Sequence, residues 1–198
     1  MSELVVLRHG ETTWSRTGRH TGTTEVPLTA NGEAQALALG SALRGREFGL
    51  ELSSPRTRAR RTAELAGFGA AEVDADLAEW DYGAHEGRTT ADISAELGHP
   101  WSLFDDGVPA GESLQDVAQR VGRVLARAQP VLTDGQDVLL VAHGHVLRVL
   151  TACWLGLPPR AGTLLALDAG TVSHLGFEHG TPVLTGWNHR PDGADPAR

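Results

Sequence analysis

The fold is decided by the stretch Leu4-Val5-Val6-Leu7-Arg8-His9-Gly10-Glu11-Thr12. Its first four residues are all apolar, which predicts a strand buried on both faces, as in a parallel sheet. Gly10 lets the backbone turn where the strand ends, and open α/β sheets hold their ligand sites at the carboxyl ends of strands. A histidine beside an arginine at this point is suited to an anionic ligand.

A second strand of the same kind comes late in the chain. The five apolar residues Val138–Ala142 are followed directly by His143 and Gly144, just as the first strand is followed by His9 and Gly10. Parallel strands end at one edge of a sheet, so we expect the two histidines to face one cleft.

A third, shorter strand at Leu50–Leu52 leads into a helix. Ser54 is predicted to cap this helix and Pro55 to occupy its first position, which places Arg58 in the first turn. The helix dipole disfavours a cation there, which indicates that an anion compensates for the placement of Arg58. Arg58 should therefore join the same cleft.

The rest of the chain alternates between helical and strand-like stretches, which is typical of an α/β domain with a mostly parallel sheet. Helices are predicted behind the N-caps Thr29 and Ser113, over Thr89–Leu97 and after Gly144. Further strands are predicted at residues 72–74, 164–167, 172–177 and 182–184, the last two as a hairpin around Gly180. Irregular loops are predicted at 11–26, 77–87 and 100–111.

The composition excludes several classes of protein. All 17 basic residues are arginine, so a Walker-type phosphate loop and a Schiff-base lysine are both excluded. The net charge of −8 argues against a nucleic-acid partner, and the single cysteine, Cys153, excludes an internal disulfide and a multi-cysteine zinc site. With no apolar run long enough to span a membrane and no signal-peptide pattern, we expect a cytoplasmic protein without a membrane partner.

The predicted cleft favours phosphoryl chemistry. A neutral imidazole can attack phosphorus, and we assign this role to His9, with Gly10 as a candidate acceptor for its other ring nitrogen. Arg8, Arg58 and His143 would stabilise the charge on the phosphoryl oxygens. Glu79, in the loop at 77–87, is the candidate that protonates the leaving oxygen and later takes a proton from water.

With these residues in place, the chain resembles the histidine phosphatase superfamily, which includes cofactor-dependent phosphoglycerate mutase. The resemblance covers about residues 4–155 and is carried by four motifs: Arg8-His9-Gly10-Glu11-Thr12, the Ser-x-x-x-Arg-Ala pattern from Ser54 to Ala59, the acid-loop pattern from Leu77 through Glu79 and Gly83 to Glu86-Gly87, and Ala142-His143-Gly144. It implies a three-layer phosphoglycerate mutase-like domain, a phosphorylated His9, and neither a metal nor any other cofactor. We expect one domain over residues 1–190 and a flexible tail at 191–198.

Within the family, the chain is most similar to a subgroup of sedoheptulose-1,7-bisphosphatases and broad-specificity acid phosphatases. The mutases carry Asn where Ser15 stands, and a basic inserted segment where residues 88–111 have no basic residue after Arg88. The resemblance therefore implies a metal-independent phosphatase for small phosphomonoesters such as phosphorylated sugars or sugar bisphosphates. The substrate-binding residues predicted on this basis are Arg8, Ser15, Thr21, Gly22, Arg58, Tyr82, His143 and Gly144.

Three other functions stay open at this point. One is a phosphoglycerate mutase, and another is a non-catalytic protein that binds phosphorylated ligands. The third is a metal-dependent hydrolase using His143 and His145, although no further ligand cluster lies nearby and His145 is interpreted as structural. A homodimer is possible, and the sequence does not name the physiological substrate.

Overall fold

A computed structural model describes residues 2–191 of the chain. Within these residues the strands are β1 (Leu4–Arg8), β2 (Leu50–Ser53), β3 (Glu72–Val73), β4 (Val138–Ala142), β5 (Val172–Glu178) and β6 (Thr181–His189). The α-helices are α1 (Thr13–Arg16), α2 (Ala30–Ala42), α3 (Thr57–Leu65), α4 (Thr90–Leu97), α5 (Leu103–Asp106), α6 (Leu114–Thr133) and α7 (Gly144–Trp154). Short 3₁₀ helices span Ala75–Leu77, Gly83–His85 and Pro159–Leu164.

The strands form one mixed sheet in the order β3-β2-β4-β1-β5-β6. The first four strands in this order are mutually parallel. At one side of the sheet, β5 is antiparallel to β1, and β6 is antiparallel to β5. In the parallel part, Arg8 pairs with Ala142 and Ser53 pairs with Val141. This register makes β1, β2 and β4 end side by side, and it confirms the predicted α/β class with a mostly parallel sheet.

The alternation of side chains along β1 builds a core on each face of the sheet. Leu4 and Val6 pack into the core formed with helices α4 to α7, whereas Val5 and Leu7 pack against α2 and α3. All four side chains are almost completely buried, and each such burial contributes roughly 1.5–3 kcal/mol. Helices on both faces give the three layers expected from the sequence.

Two predictions of local structure are wrong. Ser54 does not cap a helix, because α3 begins at Thr57 behind Arg56 and the Ser54 hydroxyl is hydrogen-bonded to His143 instead. Residues 164–167 are not a strand: Pro159 starts a 3₁₀ helix that runs to Leu164, since a proline fits the first helical position.

Other boundaries differ by smaller amounts. The predicted loops contain short helices, namely α1, α5 and the 3₁₀ helix Gly83–His85, and the last strand continues to His189. The N-caps Thr29, Thr89 and Ser113 all accept a hydrogen bond from a backbone N–H of the first helical turn. No helix among residues 2–191 combines the length and the apolar character needed to cross a membrane. Apart from residue 191, the expected tail lies outside the described residues.

The end of β1 packs directly against the start of α2 at two glycines. A methyl group on Gly32 would lie 2.1 Å from the carbonyl oxygen of Glu11, and one on Gly10 would lie 2.2 Å from the carbonyl oxygen of Gly32. Only backbone without a Cβ can approach this closely, so the turn after β1 depends on both residues.

We expect Gly32→Ala to lower the free energy of unfolding by about 1–3 kcal/mol, because the clash is with backbone that cannot move aside. Gly122→Ala is the matched control, since Gly122 is also in a helix but has open space around it. Alanine there should raise stability by roughly 0.5–1 kcal/mol. Urea unfolding of both variants checks the prediction, and equal effects would contradict it.

Candidate active site

His9 lies at the end of β1 with its backbone held on both sides. Its N–H donates to the carbonyl of Ala142 at 3.0 Å, and its carbonyl accepts from the N–H of Gly170 at 2.9 Å. The ring nitrogen Nδ1 lies 2.7 Å from the carbonyl oxygen of Gly10, as the sequence suggested. Because a carbonyl oxygen can only accept, Nδ1 carries the proton and Nε2 keeps its lone pair. The side chain therefore has the tautomer that a nucleophile needs.

The surroundings of His9 also keep the ring neutral. Burial, followed by the positive charges of Arg58 and Arg8, lowers the pKa of His9 well below 6.5. A protonated imidazole has no lone pair at Nε2 and cannot attack. The two arginines thus favour the reactive form of His9 before any substrate arrives.

Arg8 forms one wall of a cavity of about 160 Å³ at this edge of the sheet. Its Nη1 donates to the carbonyl of Leu167, while its Nε is buried without a hydrogen-bond partner. A Cβ on Gly144, the first residue of α7, would lie only 3.2 Å from Cζ of Arg8. The guanidinium thus lies against the N-terminus of α7. These features describe a place for a phosphoryl group.

Glu79 reaches the same cavity from the loop between β3 and α4. Its carboxylate accepts from the N–H groups of Trp80, His145 and Val146 at 2.9, 3.1 and 3.0 Å. The N-cap residue of α7, His143, makes no capping hydrogen bond with its side chain. Glu79 supplies that missing acceptor, so the capping interaction fixes the position of the carboxyl group.

The loop that carries Glu79 is supported from behind by an ion pair. Arg120 is buried, binds the carboxylate of Glu112 through Nε at 2.8 Å, and donates through Nη1 to the carbonyls of Asp76 and Ala78. The backbone carbonyl of Glu112 in turn accepts from the indole N–H of Trp80 at 2.8 Å. These bonds hold the loop on both sides of the candidate acid.

Arg58 and His143 lie behind His9 and do not line the cavity. The rings of His9 and His143 are 5.0 Å apart at their centroids and nearly edge to face. Nε of Arg58 donates to Nδ1 of His143 at 3.2 Å, and the guanidinium also donates to the carbonyls of Thr21, Gly22 and Thr24. Both predicted residues are thus next to His9, but all of these hydrogen bonds go to protein atoms.

The predicted substrate-binding residues fall into two groups. Ser15, Thr21, Tyr82 and Gly144 line the cavity together with Arg8. Gly22 does not line it. Its N–H donates to Glu86, and a Cβ at this position would lie 2.3 Å from the carbonyl oxygen of Trp80. Close packing therefore explains the glycine at position 22.

Sequence reasoning missed part of the cavity wall. Gly18, Arg19, His20, Arg148 and Leu167 also line it, and so does His145, for which the sequence predicts a structural or supporting role. Arg148 follows Gly144 by four residues in α7, so the helical period alone places both on one face. No comparable signal marks Arg19 or His20, which come from an irregular loop.

A polar cluster occupies the outer part of the cavity. The hydroxyl of Tyr82 and Nδ1 of His145 are 2.6 Å apart, and burial together with the charge of Glu79 raises the pKa of Tyr82 well above 10. Burial lowers the pKa of His20 to about 4. Arg148 stacks over Phe104, 4.9 Å from its ring centroid. Neutral donors and arginines therefore surround the space in front of His9 and Glu79.

Metal chemistry finds no support in this arrangement. Among residues 2–191, no group of three or more His, Cys, Asp and Glu side chains is arranged to hold a metal ion. His145 is hydrogen-bonded to Tyr82, and His143 is hydrogen-bonded to Ser54 and Arg58. The His143-x-His145 pair is thus engaged in other contacts.

The chain matches known proteins over nearly its whole length. The family model described as the histidine phosphatase superfamily, branch 1, matches residues 4–190. An acid phosphatase of Mycobacterium tuberculosis is 44% identical over 183 residues, which cover 91% of this chain and 89% of that protein. Sedoheptulose 1,7-bisphosphatase of Saccharomyces cerevisiae is 36% identical over 182 residues, covering 77% of this chain and 67% of the yeast protein.

The chain also matches solved structures over nearly its whole length. The product of an open reading frame of Mycobacterium tuberculosis superimposes with a TM-score of 0.91 at 41% identity, covering 96% of this chain and 98% of that one. At this similarity the sheet and the helices that flank it are shared, which agrees with the fold expected from the four motifs.

The buried histidines predict a stability that depends on pH. Burial lowers the pKa of His9, His143 and His145 well below 6.5, whereas each titrates near 6.5 in an unfolded chain. Below that pH the unfolded chain binds more protons, so the stability contributed by each neutral ring is present above pH ~6.5 and is lost as the pH falls. Between pH 7.5 and 5.5, the free energy of unfolding should fall by roughly 1 kcal/mol for each ring that stays neutral in the folded chain.

Urea unfolding at pH 7.5 and 5.5 measures this loss. His145→Gln removes one of these titrating groups, so its loss of stability over the same interval should be smaller than that of the wild type by roughly 1 kcal/mol. A free energy of unfolding that stays constant between the two pH values would show that the buried histidines do not behave in this way.

Proposed function

We propose that this chain, which belongs to branch 1 of the histidine phosphatase superfamily and is a phosphoric monoester hydrolase, works through a covalent intermediate on His9. In the first step, Nε2 of His9 attacks phosphorus, the N–P bond forms, and the bond from phosphorus to the leaving oxygen breaks. Glu79 takes part in this step as the carboxylic acid: it gives that oxygen its proton and becomes a carboxylate. In the second step, water attacks phosphorus, Glu79 takes a proton from the water, and the N–P bond breaks to release phosphate.

The main support for this proposal is the hydrogen bond from Nδ1 of His9 to the carbonyl of Gly10. It leaves Nε2 as an uncommitted lone pair beside Arg8, whose buried Nε has no partner, and beside the N-terminus of α7. A phosphoryl group in this position would meet the proposed nucleophile and the positive charge of Arg8 at once. Glu79, fixed at the same helix end, lies on the cavity wall from which a leaving oxygen can be protonated.

For the substrate, we propose a small phosphorylated sugar or sugar bisphosphate. The similarity to a sedoheptulose 1,7-bisphosphatase supports this class, and so do the small volume and polar lining of the cavity. Tyr82, His20 and His145 offer partners for sugar hydroxyls, and Arg19 and Arg148 add positive charge away from His9. Apolar groups have few partners here.

The sequence alternative, a phosphoglycerate mutase, needs a site that holds its phosphorylated intermediate away from water. Residues 88–111 carry no basic residue after Arg88, and Asp92, Glu96, Asp105 and Asp106 make this segment acidic. An acidic segment repels a bisphosphorylated intermediate rather than retaining it. This favours transfer of the phosphoryl group to water.

Phosphate release from a panel of esters in excess chelator tests the proposal. The panel contains sedoheptulose 1,7-bisphosphate, fructose 1,6-bisphosphate, 3-phosphoglycerate and p-nitrophenyl phosphate. We expect release by the wild type, a fall of roughly 10³-fold or more in His9→Ala, and no change in the exposed-site control His99→Ala. Release that persists in His9→Ala, or that requires a metal, would contradict the proposed mechanism.

A second prediction concerns the charge behind the nucleophile. Since Arg58 is the largest charged contribution that lowers the pKa of His9, its removal should raise that pKa. In Arg58→Gln, the acidic limb of kcat/KM should therefore move to higher pH. Arg60→Gln, on the exposed side of the same helix, is the matched control. An acidic limb that is the same in all three enzymes would contradict this role of Arg58.

A further inference from the structure

Ser54 is a buried serine that the mechanism has not used. It follows the last residue of β2 and is fully buried. Its Oγ lies 2.6 Å from Nε2 of His143 and accepts the backbone N–H of Arg56 at 3.3 Å. The hydroxyl is therefore committed to the side of His143 that faces away from Arg58.

The hydrogen bonds of His143 leave only one neutral tautomer. Nε of Arg58 is a donor without a lone pair, so Nδ1 of His143, 3.2 Å away, must be the acceptor. The proton of the neutral ring is therefore on Nε2, and it is donated to Ser54. Burial lowers the pKa of His143 well below 6.5, so the neutral ring is the form present near pH 7.

We propose that Ser54 is a positioning residue that locks His143 in its Nε2–H tautomer and thereby holds the Arg58 guanidinium beside the nucleophile. Ser54 is hydrogen-bonded to His143, and His143 is hydrogen-bonded to Nε of Arg58. The positive charge of Arg58 in turn lowers the pKa of His9. This inference rests on the proposed role of His9. It also gives a physical reason for the spacing between Ser54 and Arg58, since both side chains contact His143.

The charged and titratable groups around this path are few. His9 is faced by Arg8 on its own strand, by Arg58 from α3 and by the ring of His143. His143 is faced by the same two arginines, by His9 and by Arg56. The fixed charges that face the two rings are positive, whereas Arg58 itself is also faced by the carboxylates of Glu79 and Glu25. Loss of the bond between Arg58 and His143 lets one of these charges move away from His9.

Without the Ser54 hydroxyl, Nε2–H of His143 has no acceptor. The ring can then take the other tautomer, in which Nδ1–H faces Nε–H of Arg58 and repels it. Arg58 would keep its hydrogen bonds to the carbonyls of Thr21, Gly22 and Thr24 but lose the one at Nε. Movement of its charge away from His9 would raise the pKa of His9. Since groups that orient active-site residues from behind typically change activity by about 10–100-fold, we expect a fall of that size in kcat/KM for Ser54→Ala.

The test uses Ser54→Ala, the conservative variant Ser54→Thr, and Ser53→Ala as matched control. Ser53 is the preceding residue, is equally buried, and its hydroxyl donates to the carbonyl of Ser54 rather than to His143. Two quantities are measured: the ¹⁵N shifts of the two ring nitrogens of His143 in the free enzyme, and the dependence of kcat/KM on pH.

The proposal expects an unprotonated Nδ1 and a protonated Nε2 in the wild type, in Ser54→Thr and in Ser53→Ala. In Ser54→Ala, the proton should be found on Nδ1 or shared, and the acidic limb of kcat/KM should move to higher pH. An unchanged tautomer in Ser54→Ala overturns the proposal, as does a loss of activity that Ser53→Ala matches without any shift of the acidic limb.

The tautomer is read without turnover, so failure of the proposed phosphatase mechanism does not obscure the result. If Ser54→Ala does not fold, Ser54→Cys is measured in the same way, since a thiol is only a weak acceptor at the same position. An increased fraction of Nδ1–H supports the proposal, and a pure Nε2–H ring overturns it.

Discussion

The site depends on one hydrogen bond, from Nδ1 of His9 to the carbonyl oxygen of Gly10. That bond sets the tautomer of the nucleophile, so the position of the Gly10 carbonyl has to be fixed. Close backbone packing against Gly32 fixes it from α2, and the Gly10 N–H donates to Oγ1 of Thr62 in α3 at 3.1 Å. The two helices on this face of the sheet thus orient the histidine on β1.

Carboxylates from loops complete this framework by satisfying free N–H groups around the site. Glu25 accepts the N–H of Thr57 at the start of α3, where the N-cap residue offers no side-chain acceptor. Glu79 does the same for α7, and Glu86 accepts from Gly22 and Thr24. Glu25, Glu79 and Glu86 therefore accept hydrogen bonds from backbone N–H groups, while Arg8 and Arg58 lie next to His9. Electrostatic attraction of a phosphate ester depends on this local separation rather than on the net charge of −8.

The sequence was most informative where one backbone pattern decided one contact. The apolar runs ending in His9 and His143 predict the sheet edge, and the carbonyl of Gly10, one residue after His9, is the predicted partner that the structure shows. Ser54 was misplaced because a serine before a proline is also a good N-cap, and only the register of β2 beside β4 shows that it meets His143. Arg19 and His20 could not be predicted, since a long loop has no period that orients side chains.

The central claim is that a neutral His9 receives the phosphoryl group. The most direct measurement mixes the enzyme briefly with a ³²P-labelled ester, stops the reaction in base, and locates the label by peptide mapping. The account predicts an acid-labile label on the peptide that contains His9, formed faster than phosphate is released and absent from His9→Ala. Label on another residue, or phosphate release with no labelled protein under conditions of rapid turnover, would contradict it.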